Sequence, residues 1–332
     1  MPAPTSPLTV GELAEEEILA RILARLGPSP VDVGPGDDAA VLRLADPRVV
    51  VTTDTLVHGP DFRLAWSRGR DLGAKAAAVN LADVAAMGAR PVALFVALMM
   101  PDDTTIEFVE ELATGLREAC EELAPGCAVA GGDLTVSDTL AIAVTAIGDL
   151  PAGRRPVLRS GARSGQVVAI AGETGAAAAG LALLFERFRD PAGAAVPVDG
   201  ALLDEREASL VSAQLRPCPP IAAGVRAADA GATAMMDVSD GLIRDARRMA
   251  AASGVSIDLR TAALGPDPAL ALSGGEDHAL LAVFPAEAPI PAEFRVIGTV
   301  GDRAAGLLLV DGVAESSDGG WDPYRDWDGQ AG

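Results

Sequence analysis

The sequence predicts a two-domain protein of the α/β or α+β class. Strand-like runs of β-branched and apolar residues alternate with helix-like segments along the 332-residue chain. Hydrophobic residues make up 49% of the chain and aromatic residues only 3%, so the core must be built from Ala, Val, Leu and Ile. The best domain boundary is the Pro/Gly/Arg-rich segment 151–156. It predicts an N-terminal domain over 1–150, a C-terminal domain over 151–312 and a tail over 313–332.

The first half of the chain carries three helix patterns and four strand patterns. Helical apolar spacing covers 12–26, and Gly27 and Pro28 end it. An alanine-rich helix over 71–87 leaves almost no face suited to water. The remaining predicted elements are strands over 49–54, 92–98 and 140–147, a helix over 105–123, and a strand end over 128–130 that leads into a tight turn at 131–133.

The second half continues the alternation. A strand over 167–171 precedes a helix that runs to Phe188, and prolines 217, 219 and 220 end a further helix over 201–215. The remaining predicted elements are a strand end over 234–237, a helix over 241–252, a turn over 272–277, and strands over 279–284 and 306–310.

The net charge of −21 restricts the partners of the protein. Nucleic acid and anionic membrane surfaces both require a basic face, so neither is expected as a partner. Three cysteines without a Cys-x-x-Cys pair predict a reduced, cytoplasmic protein with no disulfide framework. The acidic N-terminal segment does not resemble a signal peptide, and the longest apolar run is too short to cross a bilayer.

Aspartates recur beside paired glycines or at the ends of apolar segments. A carboxylate in such a position is costly unless something neutralises it. A shared set of hard cations would neutralise several at once, and oxygen-only ligation suits Mg²⁺. The aspartates in this pattern are Asp37, Asp38, Asp54, Asp83, Asp133, Asp237 and Asp240.

The absence of several catalytic motifs narrows the range of reactions that the sequence can support. Residues 34–39 fit G-x-G-x-x-A, but carboxylates occupy the place where a dinucleotide fingerprint receives a pyrophosphate. There is no Walker A sequence and no nucleophile elbow. Dispersed aspartates and glycine turns are the equipment for phosphoryl transfer by positioning and charge neutralisation, which needs no protein nucleophile. The arginines at 154, 155, 159 and 163 either serve that chemistry or form a solvated face.

At these residues the sequence resembles the thiamine-monophosphate kinases, within the superfamily of aminoimidazole ribonucleotide synthetase. The resemblance runs in order through nearly the whole chain. The segments 75–89 and 273–277 together point to this member, whereas the shorter motifs are shared across the superfamily. The segments that carry the resemblance are 32–38, 52–57, 75–89, 131–133, 159–162, 237–243 and 272–277.

The resemblance implies ATP-dependent phosphorylation of thiamine monophosphate to thiamine diphosphate, with the acceptor phosphate as the nucleophile. It implies a homodimer, in which strands of two N-terminal α/β domains pair into a barrel. Gly132, Asp133, Arg159 and Ser239 would contact ATP, and Glu276 would contact the thiamine part. Several Mg²⁺ ions would be held by Asp38, Thr52, Thr53, Asp54, Asp83, Asp133, Asp237 and Asp240.

The chain departs from the family pattern at two substrate positions. Asp61 stands where relatives often have a histidine, and Trp321 lies in a Gly-aromatic-Asp setting with different residues after it. Trp321 either contacts substrate or anchors the tail. Two alternative functions stay open: another kinase or synthetase of the superfamily, similar to aminoimidazole ribonucleotide synthetase, and a non-enzymatic acidic metal-binding scaffold.

Overall fold

The computed structural model describes residues 7–35, 39–303 and 306–320. Its two β-sheets follow one another along the chain, and segment 151–156 lies between them. The helices are α1 (Glu15–Leu26), α2 (Gly69–Ala86), α3 (Ile106–Leu123), α4 (Ala176–Arg187), α5 (Glu205–Leu215), α6 (Ile221–Asp229), α7 (Leu242–Ser253) and α8 (Pro268–Ser273). The strands are β1 (Val49–Val57), β2 (Arg90–Met100), β3 (Ala128–Val136), β4 (Ala141–Asp149), β5 (Val167–Ala171), β6 (Ala234–Val238), β7 (Ser256–Leu259), β8 (Ala279–Phe284), β9 (Phe294–Gly301), β10 (Leu308–Val310) and β11 (Val313–Ala314). Within the described ranges, no helix is both long and apolar enough to cross a bilayer.

The N-terminal sheet has four strands in the order β1-β4-β2-β3. Helix α2 packs against β1, β2 and β4, and α3 packs against α2. The two helices approach closely because each has a glycine at the contact. A Cβ on Gly73 would lie 2.0 Å from the Leu112 carbonyl oxygen, and one on Gly115 would lie 2.0 Å from that of Arg70. In the described chain this sheet is open, with β1 and β3 at its edges.

The turn predicted at 131–133 is wrong. These residues lie inside β3, which pairs in parallel with β2 so that Val96 lies opposite Gly132 and Ala97 opposite Asp133. Gly132 belongs there because the backbones approach closely: a Cβ at this position would lie 2.1 Å from the Val96 carbonyl oxygen. The paired glycines therefore allow β2 and β3 to approach closely and do not form a turn.

The C-terminal sheet has seven strands in the order β11-β10-β7-β9-β5-β8-β6. Strands β6 and β8 are buried along their whole length, which explains their continuous apolar sequences. Helix α7 packs against β6 and β7, and α4 pairs with α5. The predicted 201–215 helix is shorter than expected, because the chain forms a 3-10 turn over Gly200–Leu202 and α5 begins only after its capping residue Asp204.

Helix α2 belongs to both halves of the molecule. Besides the N-terminal sheet it contacts α5, α6, β6 and β8. A Cβ on Gly224 of α6 would lie 2.1 Å from the Ala85 carbonyl oxygen, so these helices also touch closely. The prediction that α2 has almost no face for water is confirmed: Ala76, Ala77 and Ala78 are fully buried. The polar residues beyond its first turn, Lys75, Asn80 and Asp83, therefore face protein interior or a site.

Candidate functional site

Three aspartates from the two halves of the molecule converge beside α2. We call Asp54 of β1, Asp83 of α2 and Asp237 of β6 the acid cluster. Thr52 donates its hydroxyl to Asp83 Oδ2 at 2.6 Å, and His278 Nδ1 lies 3.2 Å from Asp237 Oδ2. One oxygen of Asp54, Oδ2, is buried and has no hydrogen-bond partner among the described residues. The cluster therefore presents acceptors that the described residues do not fully satisfy.

The electrostatics of the acid cluster are those of carboxylates confined together. Burial, followed by the Asp237 carboxylate, raises the pKa of Asp54. The same two causes raise the pKa of Asp83 to about 7, although the Thr52 hydrogen bond acts in the opposite direction. Burial opposes the charged imidazole, but the hydrogen bond that His278 makes to Asp237 and the charges of Asp237 and Glu276 together outweigh it and raise the pKa of His278. The cluster would gain from additional positive charge.

The donor set of the acid cluster fits a hard cation, since carboxylate and hydroxyl oxygens are the ligands that Mg²⁺ takes. Within the described ranges, however, no three His, Cys, Asp or Glu side chains stand close enough to hold one metal ion together. Asp38 lies outside the described residues, as does Asp37. The magnesium assignment therefore stays a prediction.

The other described residues predicted to bind metal have different surroundings. Thr53 points to the opposite side of β1 from Thr52, and its hydroxyl donates to the Val144 carbonyl at 3.0 Å. Asp133 is exposed on β3. Asp240 forms an ion pair with Arg248 at 2.7 Å. Of the predicted ligands, the structure brings together Thr52, Asp54, Asp83 and Asp237.

A cavity of about 460 Å³ lies at the junction of the two halves. Trp66, Phe185 and Leu181 contribute apolar and aromatic wall. Both described residues predicted to bind substrate, Asp61 and Glu276, line it. Asp240, Ser273 and Gly274 line it as well. An apolar pocket with a few convergent polar groups is typical of a small-molecule site.

Lys75 is the feature of this cavity that the sequence reasoning missed. Its side chain is 5% exposed, and its ammonium pairs with the Glu276 carboxylate and lies 3.4 Å from the Gln214 carbonyl oxygen. Burial acts to raise the pKa of Glu276, but Lys75 and His278 outweigh it and the pKa is lowered. The available signal was that Lys75 is the only lysine of the chain and lies in an alanine-rich helix.

Glu276 and Asp61 are held differently. Glu276 has a φ of +72°, a left-handed conformation that is rare for a non-glycine residue, and its N–H donates to the Ser239 carbonyl at 2.8 Å. Asp61 accepts the Val57 N–H at 2.7 Å, so it stabilises the turn after β1. Burial raises the pKa of Asp61. Trp321, the third predicted substrate contact, lies outside the described residues.

The residues predicted to contact ATP are spread over both halves. Gly132 is exposed on β3, and Arg159 is exposed before β5. Ser239 follows β6 and its carbonyl holds Glu276. The interpretation of the four arginines as a solvated face is wrong for Arg154: it pairs with Asp229, which follows from the packing of α6 beside the segment between the sheets. Arg155 is exposed.

Comparisons with known proteins find relatives that match nearly the whole chain. The family model of the AIR synthase related protein, N-terminal domain, matches residues 36–150. The thiamine-monophosphate kinase of Mycobacterium tuberculosis is 42% identical over 98% of this chain and 96% of its own length. The crystal structure of thiamine-monophosphate kinase from Stenotrophomonas maltophilia K279a superimposes with a TM-score of 0.74 at 33% identity, covering 91% of this chain and 98% of that one. The structure of AaThiL complexed with AMPPCP and TMP has a TM-score of 0.72 at 30% identity, covering 95% and 99%.

Proposed function

The chain belongs to the thiamine-monophosphate kinase family, and we propose that it transfers the γ-phosphoryl group of ATP to the phosphate of thiamine monophosphate. The observation that carries the proposal is the full-length similarity to AaThiL, whose complex holds AMPPCP and TMP. The cavity with its apolar wall and its Lys75–Glu276 pair supports it from the side of the acceptor.

In this mechanism the acceptor phosphate is itself the nucleophile, so no side chain forms a covalent intermediate. The cavity holds the thiamine part through Glu276, and Asp61 also lines it. Trp321 is proposed as a further substrate contact. Gly132, Asp133, Arg159 and Ser239 bind ATP and place its γ-phosphate in line with the acceptor. Positioning of the two phosphates against each other supplies a large part of the rate acceleration.

The acid cluster and Thr52 are proposed to bind Mg²⁺, and Asp38, Thr53, Asp133 and Asp240 are proposed as ligands of further Mg²⁺ ions. Bound Mg²⁺ would neutralise the negative charge of the reacting phosphates. Thr52 keeps the Asp83 carboxylate in place by its 2.6 Å hydrogen bond, and His278 does the same for Asp237. Without such cations a chain of net charge −21 would repel ATP.

We further propose a homodimer in which two N-terminal sheets meet and close into a barrel. On the face of β1 opposite Thr52, Val51 is 54% exposed and lies beside Ile147 of β4. Light scattering should give a dimer mass, and Val51→Arg should give a monomer because it places a charge on this exposed part of the sheet. Val313→Arg is the matched control, because Val313 is similarly exposed but lies on the C-terminal sheet. A monomeric wild type at micromolar concentration would remove the dimer.

The test of function is ATP consumption with thiamine monophosphate, thiamine and aminoimidazole precursors offered separately. We expect ADP and thiamine diphosphate only with thiamine monophosphate. Turnover with an aminoimidazole precursor and none with thiamine monophosphate would assign the chain to the alternative synthetase activity. Metal binding without any ATP consumption would favour the scaffold.

A further inference from the structure

The polar part of the cavity offers a donor and an acceptor side by side. Lys75 and Glu276 both line the cavity and pair with each other. An ammonium group has three N–H donors, of which the Glu276 carboxylate and the Gln214 carbonyl occupy two. One donor is left for a ligand. The Glu276 side chain is 36% exposed and lines the cavity, so a ligand in the cavity can reach it.

The Lys75–Glu276 ion pair determines which kind of ligand group can bind in the polar part of the cavity. Because Lys75 already neutralises Glu276, the pair does not act as a counter-ion for a cationic ring. Instead, the pair recognises the hydrogen-bonding pattern of a ligand, because the carboxylate accepts a hydrogen bond and the ammonium donates one. The left-handed backbone at Glu276 and the burial of Lys75 fix the two groups relative to each other. Trp66, Phe185 and Leu181 add an apolar wall suited to a flat ring.

Resting on the proposed function, we propose that Lys75 is a substrate-contacting specificity residue, which together with Glu276 recognises the 4-aminopyrimidine ring of thiamine monophosphate. That ring presents an amino N–H donor next to a ring-nitrogen acceptor. Glu276 accepts from the amino group, and Lys75 donates to the ring nitrogen. An analogue with a 4-oxo group in place of the amino group presents the reverse pattern, with a carbonyl toward Glu276 and an N–H toward Lys75.

The experiment compares kcat/KM for thiamine monophosphate and its 4-oxo analogue. In the wild type we expect a preference for the amino substrate of about 10²-fold or more, because the analogue leaves buried polar groups mismatched. Lys75→Met should lower kcat/KM for the amino substrate by roughly 10- to 100-fold, the scale of one hydrogen bond to a charged group. Its effect on the 4-oxo analogue should be much smaller, so the preference should collapse.

Two further variants make the result specific. Arg216→Met is the matched control, because it removes a cation that pairs with Asp71 of α2 at 3.7 Å, outside the residues that line the cavity. It should keep the wild-type preference. Glu276→Gln replaces an obligate acceptor by an amide that can donate to the 4-oxo carbonyl, so it should raise the relative use of the analogue by about tenfold.

The outcomes separate this inference from the proposed function. If the wild type does not phosphorylate thiamine monophosphate, the proposed function fails. If it does so but accepts the 4-oxo analogue equally well, only the recognition by Lys75 and Glu276 fails. An equal loss for both substrates in Lys75→Met would show a merely structural lysine. If circular dichroism shows that Lys75→Met is unfolded, the proposed recognition is tested by the substrate preference of the wild type and by the shift of that preference in Glu276→Gln.

Discussion

Helix α2 supplies two polar regions that solve the problem of buried charge in opposite ways. Lys75 pairs with Glu276 at the cavity, so the charges there cancel within the chain. Asp83, about 12 Å further along the helix, faces the like charge of Asp54 and Asp237. A buried pair is complete without a ligand, whereas confined carboxylates are complete only with cations. The cavity is therefore preorganised for recognition, and the acid cluster depends on what binds to it.

The largest expected effect tests the catalytic side of this comparison. Asp54→Asn, Asp83→Asn and Asp133→Asn should each lower kcat by about 10²-fold or more at saturating Mg²⁺, the scale of losing a main electrostatic stabiliser. Steady-state ADP release measures it. Asp138→Asn, a change at an exposed turn residue between β3 and β4, should keep wild-type turnover. Near-normal turnover in any two of the three variants would show that these aspartates are not the proposed Mg²⁺ ligands.

These acids show how far the sequence could lead. Asp54, Asp83 and Asp237 could be predicted as a group because each carboxylate sits in or beside a short apolar or small-residue segment, where burial is costly. The pairing of Lys75 with Glu276 could not, because the two residues lie in different halves of the chain and only the packing of α2 across both halves joins them. For the same reason the acids were predicted as one set, whereas in the structure Asp133 is exposed on β3 and Asp240 pairs with Arg248.

The fold shows the same limit. Strand 167–171 and the α3 region were predicted because apolar runs with clear stop signals are local properties. Helix α6 was missed because the prolines before Ile221 were interpreted only as the end of one helix, although Pro220 also stands directly before the start of the next. Strand β9 was missed because Arg295 and Gly298 interrupt its apolar pattern; its place is fixed by pairing with β5 and β7.

A smaller effect is expected at the nucleotide side, where charge is exposed. Arg159→Ala should raise the KM for ATP about tenfold with little change in kcat, because it removes a charged contact to phosphate. Arg155→Ala is the matched control, since Arg155 is also exposed in the same arginine cluster and makes no proposed contact with ATP. Initial rates at varied ATP measure both. Equal and small effects would show that Arg155 and Arg159 are both solvated and that neither binds ATP.

The smallest expected effect tests whether the acid cluster stores repulsion. The pKa of Asp83 is raised from 3.8 to about 7, so between these values the folded protein binds more protons than the unfolded chain. The free energy of unfolding in EDTA should therefore fall as pH rises from about 4 to about 7. Asp83→Asn removes this charge. It should stabilise the metal-free protein above pH 7 by on the order of 1 kcal/mol and flatten the pH profile.

With Mg²⁺ and ATP present, the wild type should instead be more stable than Asp83→Asn. Both bind only the folded protein, so they should raise the free energy of unfolding of the wild type, and should raise it less in Asp83→Asn and Asp54→Asn. The competing explanation is that these aspartates only satisfy local hydrogen bonds, as Asp83 does for Thr52. It expects neutral or mildly destabilised variants with or without metal.

Urea unfolding of the wild type, both variants and Asp138→Asn, in EDTA and then in Mg²⁺ with ATP, distinguishes the two explanations. Variants that are less stable than the wild type in EDTA, with an unchanged response to Mg²⁺ and ATP, would show that the carboxylates do not act as one cation site. The Lys75–Glu276 pair would then be the only part of the comparison that stands.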